Sequence, residues 1–396
     1  MNDSTFITRV VLKNYKSIAA CDVRLRPLTF LVGPNGAGKS NFLDALRFVA
    51  DALNSSLHHA IRDRGGIKEV RRRSRGRPNR LSIRFEFTLP EGSTGHYTFR
   101  ISTRPREEFA IQKEECVLQG ATFPNQKVYF RVENGTVTST SVEVPPAASM
   151  DRLYLVNASG LREFRPVYEA LSQMGFYNLN PDKIRDLQAP DPGDLLISDG
   201  SNLASVLAQL SPAVKRRIEE YLGKVVPGVH EVEVKKYAHK QTFEFRQVVV
   251  PTKPPWRFPA NNMSDGTLRV LGILVALFQG NHDRRMRVRF VAIEEPEIAL
   301  HPVAAGVLLD ALRDAADRTQ VIITSHSPDL LDDKDLDPES ILAVEARDGT
   351  TSIGRVDEAG RSAVRDRLYT TGELLRLNQL QPQPATLEND RRGKTM

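Results

Sequence analysis

Gly33-Pro34-Asn35-Gly36-Ala37-Gly38-Lys39-Ser40 is a G-x-x-x-x-G-K-[ST] loop, and its flanks decide the fold. The run Leu28–Val32 before it predicts a buried strand. Asn41–Leu53 after it has helical apolar spacing that continues toward His58. In that setting the glycines let backbone N–H groups curl around phosphate oxygens at a helix N-terminus that favours anions. Lys39 can then reach the outer phosphates, and the Ser40 hydroxyl can hold Mg²⁺. A nucleoside triphosphate site is expected, with Asn35, Gly36, Gly38, Lys39, Ser40 and Asn41 as its binding residues.

Three later runs fit the same chemistry. Met263-Ser264-Asp265-Gly266-Thr267 stands before the apolar helical run Leu268–Leu277, which makes Ser264 an N-cap. Alone, that is an ordinary helix start. Between a phosphate loop and an acidic strand, Ser264 and Gly266 can instead present a second phosphate surface across a subunit interface. Phe290–Ile293 reads as a buried strand ending in Glu294 and Glu295. There the first carboxylate can act on Mg²⁺ through water, and the second can polarise an attacking water. Val321–Ile323 repeats the pattern and ends in Thr324-Ser325-His326, where the imidazole can contact the terminal phosphate. The expected catalytic set is Glu295, His326 and Lys39, with Ser40 and Glu294 on the metal.

Composition narrows the class. The 396 residues have room for a large core, and two cysteines, Cys21 and Cys116, cannot build a disulfide framework. The N-terminus lacks the apolar core of a signal peptide, and Val270–Phe278 is too short to span a bilayer. A cytoplasmic protein without a membrane segment is expected. The net charge of +6 points toward an acidic partner, and Arg71, Arg72, Arg73, Arg75, Arg77 and Arg80 crowd one segment that reads as a loop. That cluster fits nucleic acid or a solvated loop equally well. Arg284, Arg285, Arg287 and Arg289 read as a loop flank.

Between the motifs, Ile7–Leu12 reads as a strand, followed by short β-type runs from Leu81 to Val144 separated by turn signals. Asp151–Val156 reads as a further core strand. Pro166–Leu222 reads as mostly helical, broken at Gln188–Gly193, and Glu231–Val250 as strands. The expected division is residues 1–160 with a β-rich lobe at about 81–150, a helical and mixed insertion over 161–250, a second core part over 251–375, and a tail over 376–396. No heptad persists, so no long coiled coil is expected.

Together the runs resemble those of ATPases of the ABC superfamily, in the soluble branch of RecF-like, SMC-like and overcoming-lysogenization-defect (OLD) proteins. Gly33–Ser40 matches Walker A, Ser264–Thr267 a variant signature motif, and Ile293–Glu295 Walker B. Pro296–Pro302 resembles the D-loop, and His326 matches the switch histidine. Val11–Ser17 is similar to that branch's first strand. Glu294-Glu295-Pro296-Glu297 with Leu300-His301-Pro302 is most like the OLD-like subgroup. The resemblance implies an α/β fold: an ABC-type P-loop ATPase head with a β-rich antiparallel lobe and a helical insertion. It also implies ATP and Mg²⁺ as cofactors, hydrolysis in a homodimer or higher homo-oligomer closed around ATP, and a role in DNA transactions or antiphage defence with a separately encoded effector such as a nuclease.

Three features depart from the pattern. Glu294 stands where many ABC proteins have aspartate, and no Q-loop glutamine can be placed, Gln119 falling in the lobe and Asn157–Gly160 containing none. About 70 residues follow His326, which leads us to expect no TOPRIM nuclease domain. A RecF-like or SMC-like repair ATPase shares every core motif. A transporter subunit fits poorly with the β-rich insertion, and a small-molecule kinase does not need Ser264–Thr267 or His326.

Overall fold

The computed structural model describes residues 6–74, 78–104, 108–120, 123–249, 254–281 and 288–383. Thirteen strands form one sheet, in the order β8-β7-β6-β5-β4-β1-β2-β16-β15-β3-β14-β13-β9. They are β1 (Ile7–Tyr15), β2 (Ile18–Arg24), β3 (Leu28–Val32), β4 (Arg80–Thr88), β5 (Thr94–Thr103), β6 (Phe109–Gly120), β7 (Phe123–Glu133), β8 (Thr136–Thr140), β9 (Gly175–Tyr177), β13 (Phe290–Glu294), β14 (Gln320–Ser325), β15 (Ile341–Arg347) and β16 (Thr350–Arg355). A small second sheet pairs β10 (Val229–Tyr237), β11 (Lys240–Gln247) and β12 (Trp256–Pro259).

Burial follows the strand directions. β15, β3, β14, β13 and β9 run parallel. They are covered on both faces, which is why β3, β13 and β14 read as nearly unbroken apolar runs. Within them alternate residues divide between two cores. Leu31, Ala292 and Ile322 join the core beneath the Lys39–Asn54 helix, whereas Phe30, Ile293 and Ile323 join that of the Pro212–Val225, Asp265–Phe278 and Pro302–Ala316 helices. The antiparallel strands are covered on one face only, so β4 alternates strictly between buried and accessible residues.

Several expectations need correction. Asp151–Val156 is not a strand: Tyr154–Ala158 is a short helix. Its cause lies forty residues earlier, where the fully buried Glu114 on β6 accepts Tyr154 N–H at 2.6 Å and Leu155 N–H at 2.8 Å. That carboxylate serves the free N–H groups of a helix start that has no side-chain cap of its own. Gly175–Tyr177, inside the segment expected to be helical, is the edge strand β9. The helix after the phosphate loop stops at Asn54, and Ser56 caps a separate helix, Leu57–Arg62. The hairpin β15–β16 was not anticipated. Arg75, Arg77, Arg284, Arg285 and Arg287, and the tail beyond residue 383, lie outside the described residues. The Lys39–Asn54 helix has 16 residues, too short for a coiled-coil arm, and no described helix is long and apolar enough to cross a membrane.

Burial pushes the Glu114 carboxyl up to about 7, while the bonds from Tyr154, Leu155 and the Tyr97 hydroxyl favour its ionised form. The folded chain therefore holds this proton where the unfolded chain has lost it. The contribution of Glu114 to stability should fall as pH rises from about 4.5 to about 7. Glu114→Gln offers one acceptor oxygen to three donors and should cost about 1–3 kcal/mol in urea denaturation. It should also flatten the pH dependence over that window.

Candidate functional site

The phosphate loop is shaped by its neighbours. A side chain at Gly33 would place its Cβ 2.1 Å from Val344 O, and one at Gly38, where φ is +104°, would lie 2.2 Å from Thr351 Oγ1. Gly36, at φ +78°, has nothing within 4 Å of its Cβ position, so the loop is open there. Asn35 and Gly36 form the exposed tip. Lys39 begins the helix and is buried. Its Nζ donates to Gly33 O at 2.7 Å and Pro34 O at 3.1 Å, bonds that phosphate oxygens can replace. Burial lowers the Lys39 pKa, opposed by the Glu295 and Glu297 carboxylates. Asn41 donates to Ser17 Oγ at 2.7 Å, a bond that ties the helix to the β1–β2 turn.

Parallel register brings the other groups to the loop. Glu294 pairs with Thr324, and Thr324 with Leu31, so three adjacent strands end together. Ser40 Oγ donates to Glu294 Oε2 at 2.7 Å, joining a hydroxyl and a carboxylate that are hard oxygen donors of the kind Mg²⁺ takes. Glu295 N–H is held by Thr324 O at 3.0 Å, and the residue sits at φ +44°, a left-handed conformation costing a glutamate about 1–2 kcal/mol. Its Oε1 lies 3.2 Å from His326 Nδ1. The structure therefore gathers Lys39, Ser40, Glu294, Glu295 and His326 around one strand-end row.

Ser264 and Gly266 make no described bond to that row. Ser264 is an exposed N-cap whose Oγ accepts Thr267 N–H at 3.2 Å, and no described bond links it to Lys39, Ser40 or Glu295. Gly266 has a local reason to be glycine: a Cβ there would lie 2.5 Å from Ala299 O in the 296–302 loop.

Three residues near the acidic pair have a part that the sequence reading did not assign: Arg269 and Asn178 were not singled out, and Glu297 was named only within a motif. Arg269, on the helix that Ser264 caps, is buried and donates to Leu179 O at 2.9 Å, Glu295 O at 3.2 Å and Glu294 O at 3.3 Å. Burial lowers its pKa, and Glu297 and Glu295 oppose this. Glu297 Oε1 accepts Ser325 Oγ–H at 2.6 Å and His326 N–H at 3.3 Å, fixing the histidine turn. Asn178 follows β9, whose Tyr177 pairs with Ile293, and so comes beside Glu294 in a small pocket with Asp44 and Arg47. An arginine within an apolar helix was the available signal for Arg269; a three-residue strand left none for Asn178. Gln119 pairs with Thr94 in the lobe, and Asn157 donates to Ala147 O, so neither serves this row.

A parallel sheet that aligns a phosphate loop, an acidic strand end and a histidine turn, continued by an antiparallel lobe, defines an ABC-type P-loop ATPase head. The chain belongs to the family described as "AAA domain, putative AbiEii toxin, Type IV TA system", whose model matches residues 28–332. It is thus an ATP-hydrolysing enzyme of the branch that contains OLD, RecF and SMC proteins. It is 23% identical over 385 residues to an OLD nuclease of Thermus scotoductus, covering 92% of this chain and 68% of the relative. With the Old nuclease of Escherichia phage P2 it shares 20% identity, over 83% of this chain and 57% of the relative. In fold it resembles an Smc head bound to the C-winged helix domain of ScpA, with a TM-score of 0.56 at 15% identity over 88% of this chain and 96% of the other. A Pyrococcus furiosus Smc head gives 0.51 at 13% identity, over 92% and 99%.

Arg269→Met keeps the length of the side chain but strands the carbonyls of Leu179, Glu294 and Glu295. It should lower stability by about 1–3 kcal/mol in chemical denaturation. It should also slow phosphate release, because the backbone of Glu295 loses its anchor.

Proposed function

We propose that the protein is an ATP-driven switch in which two copies face each other head to tail across two nucleotides. The observation that carries this reading is the placement of Ser264. It is an exposed helix start unbonded to its own phosphate loop, yet its helix holds the Glu294–Glu295 backbone through Arg269. A facing copy would supply the phosphate that this N-terminus suits.

In this reading Lys39 exchanges the Gly33 and Pro34 carbonyls for outer phosphate oxygens, and the N–H groups around Gly36 and Gly38 wrap the remainder. Ser40 and Glu294 hold Mg²⁺, which neutralises charge on the β- and γ-phosphates when bound. Glu295 orients the attacking water, and His326 holds that carboxylate while sensing the terminal phosphate. Asn178, beside Glu294, takes the place of the missing Q-loop glutamine. Likeness to OLD nucleases supports control of a nuclease, separately encoded or fused, in antiphage defence. Two buried free thiols suit a cytoplasmic setting.

Ser264→Arg should leave ATP binding at Lys39 intact and block hydrolysis. Mixed with Lys39→Ala, it should recover part of the activity, since each mixed dimer retains one site with both residues. Full activity of Ser264→Arg alone would rule out the shared site.

A nucleic-acid partner draws support from the solvent face of the lobe. Register aligns Lys13, Ser82, Arg100 and Lys113 across β1, β4, β5 and β6, with Arg80 one step along β4. Lys13, Arg80 and Arg100 are exposed and have no carboxylate partner among the described residues, whereas Arg9, Arg84 and Arg131 on the same face are paired with Asp22, Glu86 or Glu115. The Arg71–Arg73 segment is more engaged, with Thr103, Thr350 and Glu69 as respective partners. Replacing Lys13, Arg80 and Arg100 by alanine should weaken binding to duplex DNA and reduce the salt slope by about 3. An unchanged slope would remove this face from consideration.

A further inference from the structure

The phosphate loop is gripped from behind by the β15–β16 hairpin, which none of the motifs includes. β15 pairs with β3 up to Ala343 and Val32, and the next residue on each strand brings Val344 O against Gly33. At the other end, Thr351 on β16 is 2% exposed and packs its Oγ1 against Gly38. Three hydrogen bonds run through this point: Asn41 Nδ2 to Ser17 Oγ at 2.7 Å, Ser17 Oγ to Thr351 Oγ1 at 2.7 Å, and Thr351 Oγ1 to Ala37 O at 2.9 Å. An amide N–H can only donate and a carbonyl oxygen can only accept. With both ends fixed, the chain has one direction: Asn41 donates to Ser17, Ser17 to Thr351, and Thr351 to Ala37 O. Thr351 N–H closes the set by donating to Ser17 O at 3.0 Å.

The last bond matters because of the peptide it holds. Ala37 C=O and Gly38 N–H belong to one trans peptide and point in opposite directions. A hydroxyl that holds the carbonyl toward the hairpin turns the Gly38 N–H the other way, into the loop, where it has no partner among the described residues. We propose that Thr351 is a positioning residue for ATP binding at the phosphate loop. Through Ala37 O it sets the peptide plane that presents Gly38 N–H to the nucleotide phosphates, and through Ser17 it ties that plane to the first turn of the Lys39–Asn54 helix. Thr351 itself touches no phosphate.

This rests on the phosphate loop binding ATP, so the parent protein and Lys39→Ala are titrated first with a fluorescent ATP analogue. Failure of the parent to bind counts against the nucleotide site itself, separately from the role of Thr351. Thr351→Val keeps the shape and removes the hydroxyl. It should weaken ATP binding about tenfold, with a smaller change in kcat than in KM. Thr351→Ser, which restores the hydroxyl, should bind within about twofold of the parent. Thr350→Val is the control, because it removes the hairpin's bond from Arg72 without touching Ala37 or Ser17, and it should bind as the parent does. Parental affinity in Thr351→Val would overturn the proposal, as would an equal loss in Thr350→Val. If Thr351→Val does not fold, Ser17→Ala is read in the same titration: several-fold weakening supports the relay, and parental affinity overturns it.

Discussion

Everything at the site depends on the central strand β14 pairing in parallel with β3 on one side and β13 on the other. Parallel strands in register carry their C-terminal ends to a common level. Leu31, Thr324 and Glu294 stand in one row; Val32 and Ser325 pair one step further, directly before the phosphate loop and His326, and Glu295 follows Glu294. A slip of one residue would send Glu294 to the opposite face and separate it from Ser40. That register is held by the two cores, which take alternate residues of these strands. The placement of these groups is thus fixed largely by apolar burial.

Onto this row the chain adds a layer of backbone control. Glu295 occupies a left-handed conformation that its side chain does not favour, and three groups oppose its relaxation: Thr324 O on its N–H, Arg269 on its carbonyl, and His326 at its carboxylate. Arg269 stands on the helix that Ser264 caps, so the backbone of the acidic pair is mechanically continuous with a surface helix end. Glu297 performs the matching task on the other strand by holding Ser325 and His326.

The sequence made the parallel half legible because doubly covered strands must be apolar throughout, and because phosphate chemistry demands glycines, lysine and serine at fixed spacing. It was less legible where a distant residue decides local structure. Leu153-Tyr154-Leu155-Val156 suits a strand or a helix, and only the Glu114 carboxylate, brought in by β6, settles the helix. Gly175–Tyr177 is too short to show a period. β16 opens with the polar run Thr350-Thr351-Ser352, of which only Thr351 is buried, bonded to Ser17 and Ala37 more than three hundred positions away. The Asn41 side chain begins a hydrogen-bond chain within the protein, which its place after Ser40 does not announce.

These bonds fall into two kinds, and the difference bears on how the head can respond to nucleotide. The partners of Lys39, Ser40 and Glu295 within the chain are loop carbonyls, a carboxylate and an imidazole, and in the proposed reading an incoming triphosphate competes with them directly. In the same reading the Asn41–Ser17–Thr351–Ala37 chain and the grip of Arg269 on the Glu294 and Glu295 carbonyls are bonds that phosphate does not replace. The first kind can be exchanged one for one with modest net cost, since a hydrogen bond is lost for each one made. The second kind must persist through that exchange if the loop and the acidic pair are to meet the nucleotide already shaped. In the proposed switch, a head built this way uses little of its binding energy to shape the site and leaves the remainder for contacts that favour one arrangement of two subunits over another.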